Sequence, residues 1–126
     1  MKNFNKFVKL ARQLIDYPDG RCRHWSFLVI RNKILSVGWN LSNQTHPLAR
    51  QYGYRFHCIH SELKAILNLQ YTPSIITKCT LINIRIMTDG TLGMSKPCKR
   101  CQQLLQDFGV KTIYYTNRQG KFRKMI

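Results

Sequence analysis

Two hydrophobic periodicities alternate along the chain, and their order limits the fold more than any other feature. Phe4, Phe7, Val8, Ala11, Leu14 and Ile15 recur at helical spacing, with Lys2, Lys6, Lys9 and Arg12 on the opposite face, which predicts an amphipathic helix over residues 3–16. Tyr17-Pro18-Asp19-Gly20 ends it. Two β-rich runs, Trp25 to Ile30 and Ile34 to Trp39, are separated by Arg31-Asn32-Lys33, which is hairpin spacing. Leu41 to Ile59 has no clean period and reads as a long loop with room for a short helix. Ser61 to Leu69 is apolar on nearly all sides, as a helix buried against a sheet should be. A strand at Thr80 to Met87, a helix from Cys98 to Phe108 capped by Gly109, and a strand at Lys111 to Thr116 complete the order. Helix, hairpin, helix, strand, helix, strand predicts an α/β fold in three layers, with a mixed central sheet of about five strands and helices on both faces. Only ten residues follow Thr116, fewer than a parallel crossover requires, so any strand over Phe122 to Ile126 must return antiparallel through Asn117-Arg118-Gln119-Gly120.

At 126 residues with 44% apolar content the chain is the size of one domain, and we read 1–126 as a single unit. No stretch resembles a signal peptide or a membrane span, which predicts a cytoplasmic protein. Five cysteines, an odd number in such a chain, argue against a disulfide framework and leave metal ligation or burial. The net charge of +16, from 21 Lys and Arg against five acids, favours polyanionic partners, so nucleic acid is a candidate partner. A genome biased towards lysine would give the same imbalance. Acids are so scarce that Glu62 is the only glutamate.

Cys98 and Cys101, one helical turn apart at a helix start, can chelate one ion. The helix N-terminus, with Lys96, Lys99 and Arg100, favours their thiolates, and Pro97 is placed to open the helix. Alone, Cys-x-x-Cys is also compatible with a redox pair, half of a structural zinc site, or two core cysteines. His60, at the head of the buried helix, is the best third ligand, and three ligands plus water is the open arrangement of a catalytic zinc. Glu62 is then left as a general acid/base, provided that it sits in the first helical turn.

His60-Ser61-Glu62 followed by Pro97-Cys98-x-x-Cys101 resembles the H-x-E and P-C-x-x-C signature of zinc-dependent nucleobase deaminases, the cytidine and deoxycytidylate deaminase superfamily. The likeness runs from about Trp25 to Tyr115, and Gly38-Trp39-Asn40 resembles the Gly-Tyr/Trp-Asn that ends strand two in relatives, where the Asn contacts the substrate sugar. It implies a cytidine-deaminase-like fold, a Zn2+ held by His60, Cys98 and Cys101, Glu62 as the proton carrier, and Asn40 on the sugar. The chain departs from the pattern in Ser61, where Ala is usual, and in an extra turn at Thr88 to Gly93 that is similar to phage-encoded deaminases. An antiparallel fifth strand in place of a parallel one resembles free-nucleoside deaminases rather than the polynucleotide-editing branches, and some DNA-acting toxin deaminases share it.

The implied activity is hydrolytic deamination of cytosine to uracil on a free nucleoside or nucleotide, deoxycytidylate foremost, in the host cytoplasm if the gene is a phage's. The alternatives are a cytosine or adenine deaminase of single-stranded DNA or RNA and a non-catalytic, zinc-stabilised nucleic-acid-binding module. Arg50 and Arg55, interleaved with Tyr52, Tyr54 and Phe56 in the long loop, are candidates for phosphate binding and base stacking, and Tyr115 for packing on the base. His24, His46, His57 and Cys79 read as ordinary loop or core residues, with a second metal through Cys22 and His24 or through His57 and Cys58 as the sharper alternative. The exposed faces of so small a fold leave room for a homo-oligomer.

Overall fold

The computed structural model describes residues 3–14, 23–40, 46–54, 59–70 and 73–125. Six strands form one sheet: β1 (Arg23–Ile30), β2 (Lys33–Trp39), β3 (Thr80–Ile86), β4 (Leu92–Gly93), β5 (Thr112–Thr116) and β6 (Phe122–Lys124). Five of them run in the order β2-β1-β3-β5-β6, and the two-residue β4 pairs with the end of β3. Only β3 and β5 are parallel. The sixth strand returns antiparallel, with Thr116 opposite Phe122, through a tight turn in which the Gly120 amide donates to Asn117 O.

The helices are α1 (Asn5–Leu14), α2 (Pro47–Gln51), α3 (Ser61–Asn68) and α4 (Lys99–Asp107), and a 3-10 helix spans Pro73–Lys78. Phe7 and Ala11 of α1 are fully buried against one face of the sheet, on Trp25, Phe27, Val29, Ile82, Ile84 and Ile86. The side chain of Asn3 caps this helix by accepting from the Asn5 amide, so it starts two residues later than the periodicity suggests. Leu14, expected on the buried stripe, is exposed. On the other face α3 and α4 pack Leu63, Ala65, Ile66, Leu104 and Leu105 over Leu28, Leu81 and Ile113. Helices on both faces of a mixed sheet give three layers, and Cys79, buried before β3, belongs to the second of these cores.

The β1–β2 turn is Arg31-Asn32 alone, both at positive φ (50° and 70°), and Lys33 joins the strand. That is the left-handed pair that a two-residue hairpin matched to strand twist requires. The extra turn after β3 is closed by Gly90 N–H on Met87 O and by Met87 N–H on Thr91 O, and it returns the chain as β4. α4 ends where Gly109, at φ +86°, donates to Gln106 O.

Strand register decides what lies beneath α3. On its face of the sheet Leu28 pairs with Leu81, Ser26 with Asn83, and His24 with Arg85. The same face therefore passes from apolar to polar along β1 and β3, and α3 lays its first turn over the polar end. Gly38 of β2 permits the approach: a methyl there would overlap the Ser61 carbonyl and the Ala65 amide nitrogen. No helix among the described residues is long and apolar enough to cross a membrane.

Candidate active site

The N-termini of α3 and α4 meet above this polar strip. His60 is the N-cap of α3, and Cys98 is the N-cap of α4, its Sγ accepting from the Cys101 amide at 3.5 Å. Pro97 thus precedes the cap and lies outside the helix. His60, Cys98 and Cys101 place their ligand atoms within 4.8 Å of one another, forming the metal-competent cluster among the described residues. A tetrahedral zinc, with Zn–S of about 2.3 Å and Zn–N of about 2.0–2.1 Å, sets the S···N edge at about 3.6 Å. His60 Nδ1 lies 3.6 Å from Cys98 Sγ and 3.4 Å from Cys101 Sγ, so the donor set fits the ion in type and in spacing.

Electrostatics agree with that fit. The Cys98 thiol is pulled down to about 3, first by its hydrogen bond with Cys101 and further by His60, against the opposing effect of burial. Cys101, fully buried, is pushed up by the same hydrogen bond with Cys98 and by burial. His60 is raised, chiefly by its hydrogen bond with Cys98. A sulfur that ionises easily thus faces a proton-rich partner, and a dication bound there would take the place of the proton they share.

Glu62 stands in the first turn of α3 and is 6% exposed. Its Oε2 accepts from Asn83 Nδ2 at 2.9 Å and its Oε1 from Ser61 Oγ at 3.2 Å. Asn83 Nδ2 also donates to Ser95 O at 3.1 Å, while Ser26 Oγ donates to Asn83 Oδ1 at 2.6 Å and lies 2.7 Å from Ser61 Oγ. With both amide ends matched to partners of the right sense, the orientation of Asn83 is determined, and so is the direction of the carboxylate. Ser95 is in turn held by the Thr116 amide at 2.7 Å, which ties the network to β5.

A cavity of about 260 Å³ opens beside this carboxylate, lined by His24, Asn40, His60, Ser61, Glu62, Ser95, Lys96 and Cys98. Asn40 Oδ1 accepts from the His24 amide at 3.0 Å, and among the described residues none accepts from its side-chain NH2. His24 lines the same wall, its imidazole lowered to about 4 by burial and then by the positive charge of Arg85 and His60, so it is neutral at physiological pH. Lys96 brings a cation to the rim, with its Nζ 6.0 Å above the Tyr115 ring.

The structure brings His60, Glu62, Cys98, Cys101 and Asn40 to one place. It places Arg50 elsewhere, exposed on α2 and outside the cavity lining, because that short helix packs its other face on the core through Ala49. Tyr115 is half-buried on β5 and is not among the residues that line the cavity, although its ring lies under Lys96. Arg55, Phe56, His57, Cys58 and Cys22 lie outside the described residues. Tyr52 donates to Asp107 Oδ2 at 2.6 Å, which leaves α2 tied to α4. Tyr54 stacks on His60 and bonds Cys101, and its hydroxyl is raised far above the ordinary phenol range by burial and by the neighbouring thiol. His46 caps α2, its Nδ1 accepting from the Leu48 amide at 3.1 Å.

Sequence reasoning passed over Ser26, Asn83 and Ser95, and weighed Lys96 only for its potential. The available signal was polarity out of place: Ser26 stands between Trp25 and Phe27, and Asn83 between Ile82 and Ile84, and a buried polar residue there must have a partner.

A mixed sheet with helices on both faces, carrying a three-donor His/Cys/Cys site where two helix N-termini meet and a buried glutamate in the same cavity, defines a metal-dependent deaminase architecture. The family model of the cytidine and deoxycytidylate deaminase zinc-binding region matches residues 1–117, and the chain belongs to that family. Among solved structures it is similar to a cytidine deaminase from Burkholderia pseudomallei, at 22% identity and a TM-score of 0.63, covering 99% of this chain and 92% of that one. The dCMP deaminase of cyanophage S-TIM5, solved with dCMP and dUMP, gives 20% identity and a TM-score of 0.57 over 94% of this chain and 85% of its own. A Mycobacterium leprae cytidine deaminase gives 19% and 0.54, over 99% and 95%. At these identities the structures speak for the fold. Comparison with curated proteins gives no match.

Proposed function

We propose that the chain is a zinc-dependent hydrolase that converts cytosine to uracil on a free nucleoside or nucleotide, with deoxycytidylate as its foremost substrate. The observation that carries this reading is the buried Glu62 carboxylate, held by Asn83 and Ser61 in the cavity that the metal-competent cluster also lines. Zinc, when bound by His60, Cys98 and Cys101, would supply water nucleophilic enough to react at neutral pH.

The chain's own residues do the rest. Glu62 takes a proton from the attacking water and delivers it to the ring nitrogen, which makes the amino-bearing carbon electrophilic. It then takes the proton of the hydroxyl newly added at that carbon and passes it to the departing amine, so that the carbonyl forms, ammonia leaves, and the carboxylate is regenerated. Asn40 offers its NH2 to the sugar, and the neutral His24 closes the wall beside it without a competing charge. Lys96, at the rim, is placed for a single phosphate. The cavity, about 260 Å³, is just below the range of about 300–1,000 Å³ usual for ligand pockets, which suits a small ligand such as a nucleotide monomer. That the similar phage enzyme was solved with dCMP and dUMP supports the same class.

The +16 charge favours a second reading, deamination of single strands. Ammonia release from deoxycytidylate, deoxycytidine, cytidylate and a cytosine-containing oligonucleotide, each at two salt concentrations, separates the two. A monomer substrate presents one phosphate and should depend weakly on salt, whereas strand binding falls by about 0.7 log units per log salt for each phosphate contact. Glu62→Gln should abolish turnover and leave zinc content near one per chain. Salt-sensitive conversion of the oligonucleotide alone would promote the second reading, and loss of zinc from Glu62→Gln would show that the glutamate is a ligand.

A further inference from the structure

The most informative residue outside the H-x-E and Cys-x-x-Cys signature is Tyr54, and its position is set by backbone geometry. α2 ends in a Schellman motif: the Gly53 amide donates to Arg50 O at 3.0 Å and the Tyr54 amide to Ala49 O at 2.9 Å, with Gly53 at φ +77°. The apolar contact that accompanies this motif is supplied by Ala49 and Tyr54, both buried in the core under α3 and α4. A five-residue helix that could not persist alone is thereby locked, and its last contact delivers one side chain to the site.

That side chain touches one donor from each helix. Its ring lies against the His60 imidazole, with centroids 4.5 Å apart and planes 13° from parallel. Its hydroxyl is 2.7 Å from Cys101 Sγ. His60 comes from α3 and Cys101 from α4, so a single phenol spans the join. A buried phenol needs a polar partner, and here the partner is a sulfur that binds metal only as the thiolate. A thiolate has no proton to give, so in the metal-loaded site the hydrogen bond runs from Tyr54 to Cys101.

We propose that Tyr54 is a positioning residue for the metal centre, donating a hydrogen bond from its hydroxyl to the Cys101 thiolate and holding the His60 ring so that Nδ1 faces both sulfurs. This rests on the zinc reading above but not on the identity of the substrate. The donated bond drains charge from the sulfur and fixes its direction, and the stack removes the rotation that would turn the imidazole away. Contacts of this kind to metal ligands are worth about 10–100-fold in metal affinity.

The test separates the hydroxyl from the ring. Tyr54→Phe keeps the stack on His60 and removes only the hydroxyl; Tyr54→Leu removes both ring and hydroxyl. Zinc is titrated against a chromophoric chelator, and the cobalt-substituted protein is followed by its thiolate-to-metal charge-transfer band. Tyr54→Phe should bind zinc about tenfold more weakly and move that band to lower energy, because the sulfur regains charge; Tyr54→Leu should approach about 100-fold. Zinc affinity within twofold of wild type in Tyr54→Phe, with an unmoved cobalt band, overturns the proposal, as does a wild-type chain that takes up no metal. If Tyr54→Leu does not fold, Tyr54→Phe decides alone. Neither readout is turnover, so a protein that holds zinc through Tyr54 yet deaminates nothing would overturn the proposed reaction and leave this inference standing.

Discussion

Replacing Gly38 with alanine tests how the sheet positions the chemistry, and the sign of its effect is diagnostic. Gly38 is not at a positive φ, so alanine costs nothing in backbone conformation. Inside a strand that exchange ordinarily stabilises by about 0.5–1 kcal/mol, because glycine loses more freedom on folding. Here the added methyl would overlap the Ser61 carbonyl and the Ala65 amide nitrogen and come within 2.8 Å of Ala65 Cα. These are backbone atoms of α3, which cannot rotate away as a side chain can. Overpacking costs about 1–3 kcal/mol, and a rigid obstacle places this case near 3, which lowers the melting temperature by on the order of 10 °C for a chain of this size. The relief is movement of α3 away from β2. The same helix carries His60 at its cap and Glu62 in its first turn, so a shift of about 1 Å would cost roughly 100-fold in turnover. Calorimetry, zinc analysis and deamination of deoxycytidylate by Gly38→Ala check the three consequences. A variant as stable as wild type or more so, with full activity, would refute the claim that this close approach sets the helix.

Two further outcomes follow from the polar strip beneath α3. Asn83→Asp turns the donor to Glu62 into a second carboxylate beside it; a hydrogen bond to a charged group is worth about 1.5–3 kcal/mol, so kcat should fall at least about tenfold with zinc content unchanged, and wild-type kcat would refute the role. His24 takes its proton at about 4 in the fold against 6.5 unfolded, so the unfolded chain binds more protons between those values, and stability, full above pH 6.5, is lost as pH falls towards 4. The whole window amounts to about 3 kcal/mol. Urea denaturation at pH 7 and pH 5 should show a smaller loss for His24→Gln than for wild type, and equal losses would refute the assignment.

How much of this was legible in the sequence differs from part to part. The amphipathic α1, the two hairpins and the buried α3 follow from period and from the spacing of turn residues, which are local quantities. The start of α1 was misplaced because its cap is a side chain, Asn3, that periodicity does not register. α2 and the 3-10 helix were not resolved within their loops, since five or six residues fall below what a period can show.

The sequence by itself determined the donor set. Cys98 and Cys101 one turn apart, and His60 two residues before the only glutamate, are spacings that survive any reasonable placement of the helices. Tertiary structure alone decided which residues serve those donors. Ser26 reaches Asn83 because β1 and β3 pair in one register, and Asn83 meets Glu62 because Gly38 admits α3. Arg50, near the motif in chemistry, ended outside the cavity, whereas Lys96, read only as local charge, lines it. Residues close in sequence share a geometry that the helix imposes, but partners 16 to 57 positions apart meet only when strand register and close backbone approach bring them together.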